Sequence, residues 1–125
     1  MDERARAVIT TTVSVKPGHL EAIADLFAET NPPLVATHPD WLQAVFSADV
    51  DTNAVTVVAY WTSADAYLAF SASDAFKETM RLFAPHLEAP PVVSLSHVLV
   101  GMTRDTLWRV PVPTARQISS SPETV

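Results

Sequence analysis

The histidines and hydroxyl residues of this chain are its first candidates for chemistry. His97 lies between Leu95 and Leu99 in an alternating apolar run, where an imidazole can act as a general base that faces a pocket. A hydrogen-bonded core histidine is the competing interpretation. Thr11 adds a hydroxyl to the otherwise apolar side of the first predicted strand, and we expect it to line the same cavity. Acid–base chemistry on a small molecule is what such groups could perform.

Metal, thiol and phosphate chemistry are not indicated by the remaining motifs. The four histidines show no metal-ligand spacing, since His38 precedes Pro39 in a loop and His86 follows Pro85 near a helix end. The chain has no cysteine and only two glycines, which excludes thiolate sites and glycine-rich phosphate loops, and no serine-nucleophile motif occurs. We therefore expect no metal and no cofactor.

Charge and hydropathy limit the classes of partner that this chain is expected to bind. The formal net charge is −6 and the eight basic residues are scattered, which makes nucleic acid a poor partner. The N-terminus lacks an apolar leader region, and no run of about 18 apolar residues occurs, so we expect no membrane association and a cytoplasmic location. With 125 residues and 48% apolar content, the chain can form one domain and a buried subunit face.

The elements that must position these residues follow from periodicity. Alternation predicts strands over residues 7–15, 41–48, 54–61 and 92–100, the second and third joined as a hairpin by the turn residues 49–53. A first helix is predicted from Leu20 to near Thr30, because Asn31-Pro32-Pro33 should end it. Capping residues at Ser63 and Ser73 predict a second helical segment broken into two pieces, with Phe76, Met80, Phe83 and Leu87 as the stripe of the second piece.

This order, βαββαβ, predicts the α+β fold known as ferredoxin-like or split βαβ, with a four-stranded antiparallel sheet and helices on one face. The other face needs a cover, and a homodimer that stacks two sheets supplies one. We expect residues 1–6 to be a lead-in, 7–100 the domain, and 101–125 a C-terminal extension that is partly flexible. Within that extension, Trp108 belongs to a segment that could lie as an arm along a sheet edge or a partner.

Three segments carry a resemblance to a known family. The strand ending in Val15-Lys16-Pro17-Gly18, the segment Tyr60-Trp61-Thr62-Ser63-Ala64-Asp65-Ala66-Tyr67, and the segment Ser73-Asp74-Ala75-Phe76-Lys77 resemble the antibiotic-biosynthesis monooxygenase family over roughly residues 7 to 100. The resemblance implies a dimeric α+β barrel. The family's activities diverge, so fold alone does not choose among them.

Haem degradation is one activity of the family, and it can be compared with this chain residue by residue. In haem-degrading relatives, an asparagine, a tryptophan and a haem-ligating histidine stand where this chain has Thr11, Phe70 and Met80. Methionine can bind haem iron, but Met80 lies on a helical stripe with Phe76 and Phe83, where a core role is favoured. Haem degradation is therefore set aside.

Quinone-forming monooxygenases of the family match better. Their asparagine, tryptophan, tyrosine and arginine correspond to Val57, Trp61, Tyr67 and Arg81, so three of four residue types are retained. A guanidinium, an indole N–H and a phenol can favour the anion of an electron-rich phenol, which reduces dioxygen directly. Val57 lacks the amide, which leaves cyclisation or isomerisation open as altered chemistry.

The leading hypothesis is a cofactor-independent monooxygenase acting on an aromatic or polyketide-like small molecule, with dioxygen as possible co-substrate. Alternatives are a cyclase or isomerase in the same pocket, and a non-catalytic dimer that binds a ligand. Each residue also has a structural interpretation: Trp61 as a core anchor, Tyr67 packed beside Phe70, and Arg81 solvated near Glu78. The predicted catalytic residues are Trp61, Tyr67, Arg81 and His97; the predicted substrate-binding residues are Thr11, Val57, Phe70, Met80 and Phe83.

Overall fold

A computed structural model describes residues 4–113, and its elements follow the predicted order. The strands of the main sheet are β1 (Ala7–Ser14), β2 (Trp41–Asp49), β3 (Ala54–Trp61) and β4 (Val92–His97), and the helices are α1 (Leu20–Val35), α2 (Ala64–Ser71) and α3 (Asp74–Phe83), followed by a 3-10 turn over Ala84–His86. The sheet is antiparallel with strand order β2-β3-β1-β4, and the helices lie on one face. The predicted α+β, ferredoxin-like fold is confirmed.

Serine caps start both pieces of the second helical segment, as predicted. The Ser63 side chain accepts a hydrogen bond from the Ala66 amide at 3.1 Å, and the Ser73 side chain accepts one from the Phe76 amide at 3.2 Å. Each cap satisfies an amide that the first turn of a helix leaves without a partner. The break between α2 and α3 is therefore fixed by the second serine.

The first helix does not end at Thr30, and that prediction is wrong. α1 continues through Pro32 and Pro33 to Val35. The two prolines withhold amide donors from the carbonyls of Ala28 and Glu29, but both of those residues are exposed, so water can satisfy their carbonyls. The ladder resumes at once, since the Ala36 amide donates to the Pro32 carbonyl at 3.0 Å.

The fourth strand ends at His97, three residues earlier than predicted. The Val98 amide donates to the Arg6 carbonyl at 2.9 Å, and the chain then leaves the sheet. It forms a separate antiparallel hairpin of β5 (Val100–Met102) and β6 (Leu107–Arg109). In this hairpin the Trp108 indole donates to the Ala5 carbonyl at 3.0 Å, so the expected arm lies on its own chain's lead-in segment. The flexibility predicted for the last residues concerns a segment outside 4–113.

Strand register fixes which side chains share the helix-covered face. Trp61 pairs with Ala7 on β1 and with Trp41 on β2, and Ala7 pairs in turn with His97 on β4. A second row two residues away pairs Leu95, Ile9, Ala59 and Ala44 across the same four strands, and a third pairs Val93, Thr11, Val57 and Phe46. Because directly opposed residues point to the same side, these rows line one face.

Two buried groups fill the space between that face and the helices. We call the first the Trp61 cluster; its buried members are Ala7, Ile9, Val35, Trp61, Tyr67 and Phe70. The second, the Phe83 cluster, has Val13, Val15, Ile23, Val55 and Phe83 as buried members. The first lies where β3 ends and α2 begins, so the core itself is richest in aromatic rings next to the predicted site.

No helix within residues 4–113 has both the length and the apolar content needed to cross a membrane.

Candidate functional site

Trp61 is the centre of the aromatic group predicted from sequence. It closes β3, and only 1% of it is exposed. Its ring centroid lies 5.2 Å from that of Phe70 and 5.8 Å from that of Tyr67, the latter in an edge-on arrangement. Such spacing is favourable for aromatic pairs. Tyr67 and Phe70, both predicted for the site from the sequence, thus pack against the indole of a third predicted residue, Trp61.

Tyr67 is the ionisable member of this group. The Ser63 cap starts α2 so that Tyr67, one turn later, points into the core. Burial raises the pKa of the Tyr67 phenol above its ordinary value of 10.0, and hydrogen bonding with the Ser71 side chain opposes that rise only partly. The phenol is therefore protonated at neutral pH and can donate a hydrogen bond but cannot accept a substrate proton.

His38 adds an imidazole to the same group. Its ring centroid lies 4.9 Å from that of Phe70, nearly perpendicular to it, and 6.2 Å from that of Trp61. The sequence predicts a loop at this residue and indicates no role for it. The contact was hidden because the loop folds back over α2, held by hydrogen bonds from the Thr62 hydroxyl to the Asp40 carboxylate and from the Thr62 amide to the Asp40 carbonyl.

A cavity of about 470 Å³ opens beside this cluster, between α1 and β2. One wall is formed by α1 and the residue that follows it, through two rows of side chains in which successive members are four residues apart. The other wall is formed by the side chains of β2 that face the helices. The lining residues are Ala24, Phe27, Ala28, Asn31, Pro32, Val35, Ala36, Trp41, Ala44 and Phe46. No charged residue is among them, and Asn31 is the one side chain with an amide. Two members, Val35 and Trp41, also pack in or against the Trp61 cluster.

This α1–β2 cavity was missed by sequence reasoning. The spacing that could have revealed it is the run Ala24, Ala28, Pro32 and Ala36, which puts small residues on one face of α1 at every fourth position. The expected end of the helix at Thr30 concealed that run. Large side chains on the same face would fill the space that the alanines leave open.

Three predicted substrate-binding residues lie in the other buried group. Phe83 is a member of the Phe83 cluster, and Val57 and Met80 pack against it. Thr11 is half-buried and pairs with Val57 across β1 and β3. These residues are separate from the Trp61 cluster, although Phe27 links the two regions, since its ring lies 4.7 Å from Phe83 and it lines the α1–β2 cavity.

Arg81 and His97 are not brought to the Trp61 cluster. Arg81 lies on the solvent side of α3, where its guanidinium pairs with the Glu78 carboxylate at 2.6 Å and 69% of its side chain is exposed. The stripe of Phe76, Met80 and Phe83 turns the opposite side of the helix inward, which is why Arg81 faces water. His97 is exposed on the edge strand β4, two strands away from Trp61.

The remaining histidines form a pair at the far end of α1. His19 and His86 place their Nδ1 atoms 3.0 Å apart. Within residues 4–113, no group of three or more side chains is arranged to hold a metal ion. The aromatic group and the cavity beside it are therefore the place where ligand chemistry is best supported by geometry.

The sequence profile described as antibiotic biosynthesis monooxygenase matches residues 6–82, more than half of the chain. The chain belongs to this family. The match spans β1 through most of α3 and so includes Trp61, Tyr67, Phe70 and His38 as well as every residue that lines the α1–β2 cavity. The family predicted from the three sequence segments is confirmed.

Solved structures share the fold of this family member at low sequence identity. A monooxygenase from the gene ActVA-Orf6 of Streptomyces coelicolor, in complex with the ligand nanaomycin D, superposes with a TM-score of 0.69 at 23% identity, covering 83% of this chain and 96% of that one. A putative antibiotic biosynthesis monooxygenase from Caulobacter crescentus gives 0.67 at 18% identity over 77% and 92%. A protein of unknown function from Nitrosomonas europaea gives 0.67 at 16% identity over 84% and 100%. None of the curated proteins matches the chain.

Proposed function

We propose that this antibiotic biosynthesis monooxygenase family member is a cofactor-independent monooxygenase that oxidises an aromatic or polyketide-like small molecule. The observation that carries the proposal is the shared wall between the α1–β2 cavity and the Trp61 cluster. Val35 is a buried member of the cluster, Trp41 packs against it, and both line the cavity. A substrate held in the cavity would thus lie next to the residues that match the family's site.

The cavity suits an uncharged flat molecule. Its volume of about 470 Å³ falls within the range of roughly 300–1,000 Å³ found for small-molecule sites. Trp41, Phe27 and Phe46 supply aromatic surface, and burial of a charge against such walls would be unfavourable. Asn31 offers one amide to orient a hydroxyl or carbonyl group. The complex of the Streptomyces coelicolor neighbour with nanaomycin D supports a small-molecule ligand.

The proposed reaction needs no external reductant. A phenol with a ring methylene loses a proton, and the resulting anion donates electrons to dioxygen. One oxygen atom replaces the two methylene hydrogens as a carbonyl, and the other leaves as water, so the substrate supplies all four electrons. The indole N–H of Trp61 and the phenol of Tyr67 are the donors proposed to stabilise the anion.

One feature favours an alternative reaction, which is cyclisation or isomerisation by proton transfer alone. Val57, where the quinone-forming relatives are expected to have an asparagine, packs against the Phe83 cluster and offers no amide. Proton transfer alone would then suffice, and dioxygen would not be consumed.

We also propose a homodimer. The sheet face opposite the helices carries Val8, Val58 and Tyr60, which are half-buried, and Val45, which is 48% exposed. A second copy stacked on this face would remove that apolar surface from water.

Sedimentation analysis of the wild type should give a dimer, and Val58→Glu should give a monomer. Ala22→Glu, on the exposed side of α1, is the control. A monomeric wild type would contradict the proposal.

Oxygen uptake tests the activity. Purified protein would be mixed with 1,8-dihydroxyanthrone, a phenol with a ring methylene, in an oxygen-electrode cell at neutral pH. We expect one dioxygen consumed per carbonyl formed, faster than in buffer alone, and a loss of that acceleration in Trp61→Phe. Product formed equally fast without dioxygen would favour the cyclase or isomerase, and no acceleration of any conversion would contradict both enzyme proposals for this substrate.

A further inference from the structure

We propose that His38 is the proton acceptor of this site. The inference deepens the proposed function, because it assigns the base for the substrate that the α1–β2 cavity would hold. It replaces His97, the base expected from sequence, with a residue in contact with the Trp61 cluster.

Backbone hydrogen bonds tie His38 to both walls of the cavity. Its amide donates to the Val35 carbonyl at 3.0 Å, and its own carbonyl accepts from the Trp41 amide at 3.2 Å. Val35 and Trp41 both line the cavity. His38 is thus held at the point where α1 ends and β2 begins, between two residues of the cavity wall.

The ring environment of His38 leaves its nitrogens available. The imidazole contacts the rings of Phe70 and Trp61, and it makes no side-chain hydrogen bond within residues 4–113. It is half-buried, so part of the ring meets the aromatic cluster and part remains accessible to water. An imidazole is the side chain suited to accept and release a proton near neutral pH.

The other histidines lack this position. His97 lies on β4, about 10 Å from Trp61 at two strand spacings. His19 and His86 contact each other at the opposite end of α1, a helix of 16 residues and therefore about 24 Å long. His38 is thus the imidazole nearest the cavity among the residues described.

Ionisable groups around His38 do not compete for the role. Tyr67 on α2 has a phenol whose pKa is raised by burial, so it stays protonated. The Asp40 carboxylate, in the same loop, accepts a hydrogen bond from the Thr62 hydroxyl. Asp65 is exposed in the first turn of α2, where the helix dipole favours its charge.

In the proposed step, the O–H bond of the substrate phenol breaks and the proton moves to an unprotonated ring nitrogen of His38. The phenol oxygen keeps the electron pair, giving a phenolate, and the imidazole becomes an imidazolium. The opposite charges then stabilise each other. No oxidant or reductant takes part in this step, so it applies equally to oxygenation and to isomerisation.

The test uses 3-nitrophenol, a dye whose anion absorbs visible light and which is still mostly neutral near pH 7.5, where a free imidazole is mostly unprotonated. Bound to wild-type protein at a pH where the free dye is mostly neutral, it should ionise at least threefold more than in buffer. His38→Gln should abolish the shift, and His97→Gln should retain it. Equal ionisation of the bound dye in wild type and His38→Gln would overturn the proposal. So would loss of the shift in both variants.

A measurement on the wild type guards against a misfolded variant. The four histidine Cε1–H signals would be followed by NMR as the dye is added at fixed pH. We expect the His38 signal to move toward the imidazolium position while His19, His86 and His97 stay constant. A His38 signal that does not move, although the dye binds, would overturn the proposal.

The dye assay separates this inference from the proposed function. If His38 ionises the dye but no aromatic substrate consumes dioxygen, the base assignment stands and the monooxygenase proposal fails. If dioxygen is consumed but His38→Gln turns over at the wild-type rate with an unchanged pH profile, the monooxygenase stands and the base assignment fails.

Discussion

Trp41 and Trp61 are paired across β2 and β3, beside a shift of register between Trp41 and Gln43. The extra residue in β2 sets Trp41 at the end of the helix-side row, where it lines the α1–β2 cavity, while Trp61 is buried in its cluster. One indole therefore lines the space for a ligand, and its neighbour is packed beside it in the core.

We expect the two tryptophans to differ in effect. Trp61→Ala should lower the free energy of unfolding by about 3–5 kcal/mol, the usual cost of deleting a buried large aromatic ring. Trp41→Ala should cost less but weaken binding of 1,8-dihydroxyanthrone, because Trp41 is only half-buried and lines the cavity. Urea denaturation and fluorescence titration would measure the two quantities. Equal stability losses with unchanged affinity would contradict this division.

Filling the α1–β2 cavity should block ligand binding. Ala28→Leu adds three carbon atoms to the wall, and Ala28 is exposed, so the fold should tolerate the change. We expect at least a tenfold rise in Kd, about 1.4 kcal/mol. Ala22→Leu makes the same change on the exposed side of α1, away from the cavity, and should leave Kd unchanged. Calorimetric titration of both variants with 1,8-dihydroxyanthrone measures the two Kd values. Equal affinity would show that the ligand binds outside the α1–β2 cavity.

Tyr67 should make stability fall at high pH. The folded state holds the pKa of this phenol above 10.0, so the unfolded chain loses the proton first as pH rises. The stabilising contribution is therefore complete below pH 10 and is lost as pH rises toward the folded-state value. Tyr67→Phe should remove this part of the pH dependence between pH 9 and 11, as measured by urea denaturation.

Arg81 should be dispensable for turnover. Its exposed pair with Glu78 is an i,i+3 contact on a helix surface, worth about 0.2–0.5 kcal/mol. Arg81→Gln should change kcat/KM less than twofold, while Trp61→Phe should lower it clearly. A large loss in Arg81→Gln, with normal stability, would show that the guanidinium reaches a ligand.

Gly101 lies directly under the Trp108 indole. A Cβ added there would overlap the ring, since Trp108 side-chain atoms occupy its position. Gly101→Ala should therefore push the indole away and break its hydrogen bond to Ala5, with a cost of about 1–3 kcal/mol. The Trp108 Nε1–H signal should exchange faster with deuterium. Gly18→Ala, where a Cβ meets no atoms but the backbone has φ of +81°, separates backbone strain from overlap with a neighbouring ring.

Local patterns were sufficient for most of the fold. Alternation located β1 and β3, and the two serine caps located the break between α2 and α3, because these features depend on residues close in sequence. The end of α1 could not be predicted in the same way. Pro32 and Pro33 lack amide donors, but the carbonyls that lose their partners are exposed to water, so the helix tolerates both prolines.

The site was predictable only in part. Trp61, Tyr67 and Phe70 meet because one strand end and the following helix carry all three. His38 was not found, because its contact with Phe70 depends on how a loop more than 30 residues upstream folds back. Arg81 was assigned inward from the family pattern, yet the stripe on α3 turns it outward.

The position of β1 in the sheet has a consequence for synthesis on the ribosome. β1 lies between β3 and β4, and Ala7 pairs with His97, which is translated ninety positions later. While the nascent chain extends past Trp61, β1 can pair with β3 but keeps one edge unpaired. Such an edge can join another chain, so the nascent chain is open to aggregation until β4 has been made and has paired with β1.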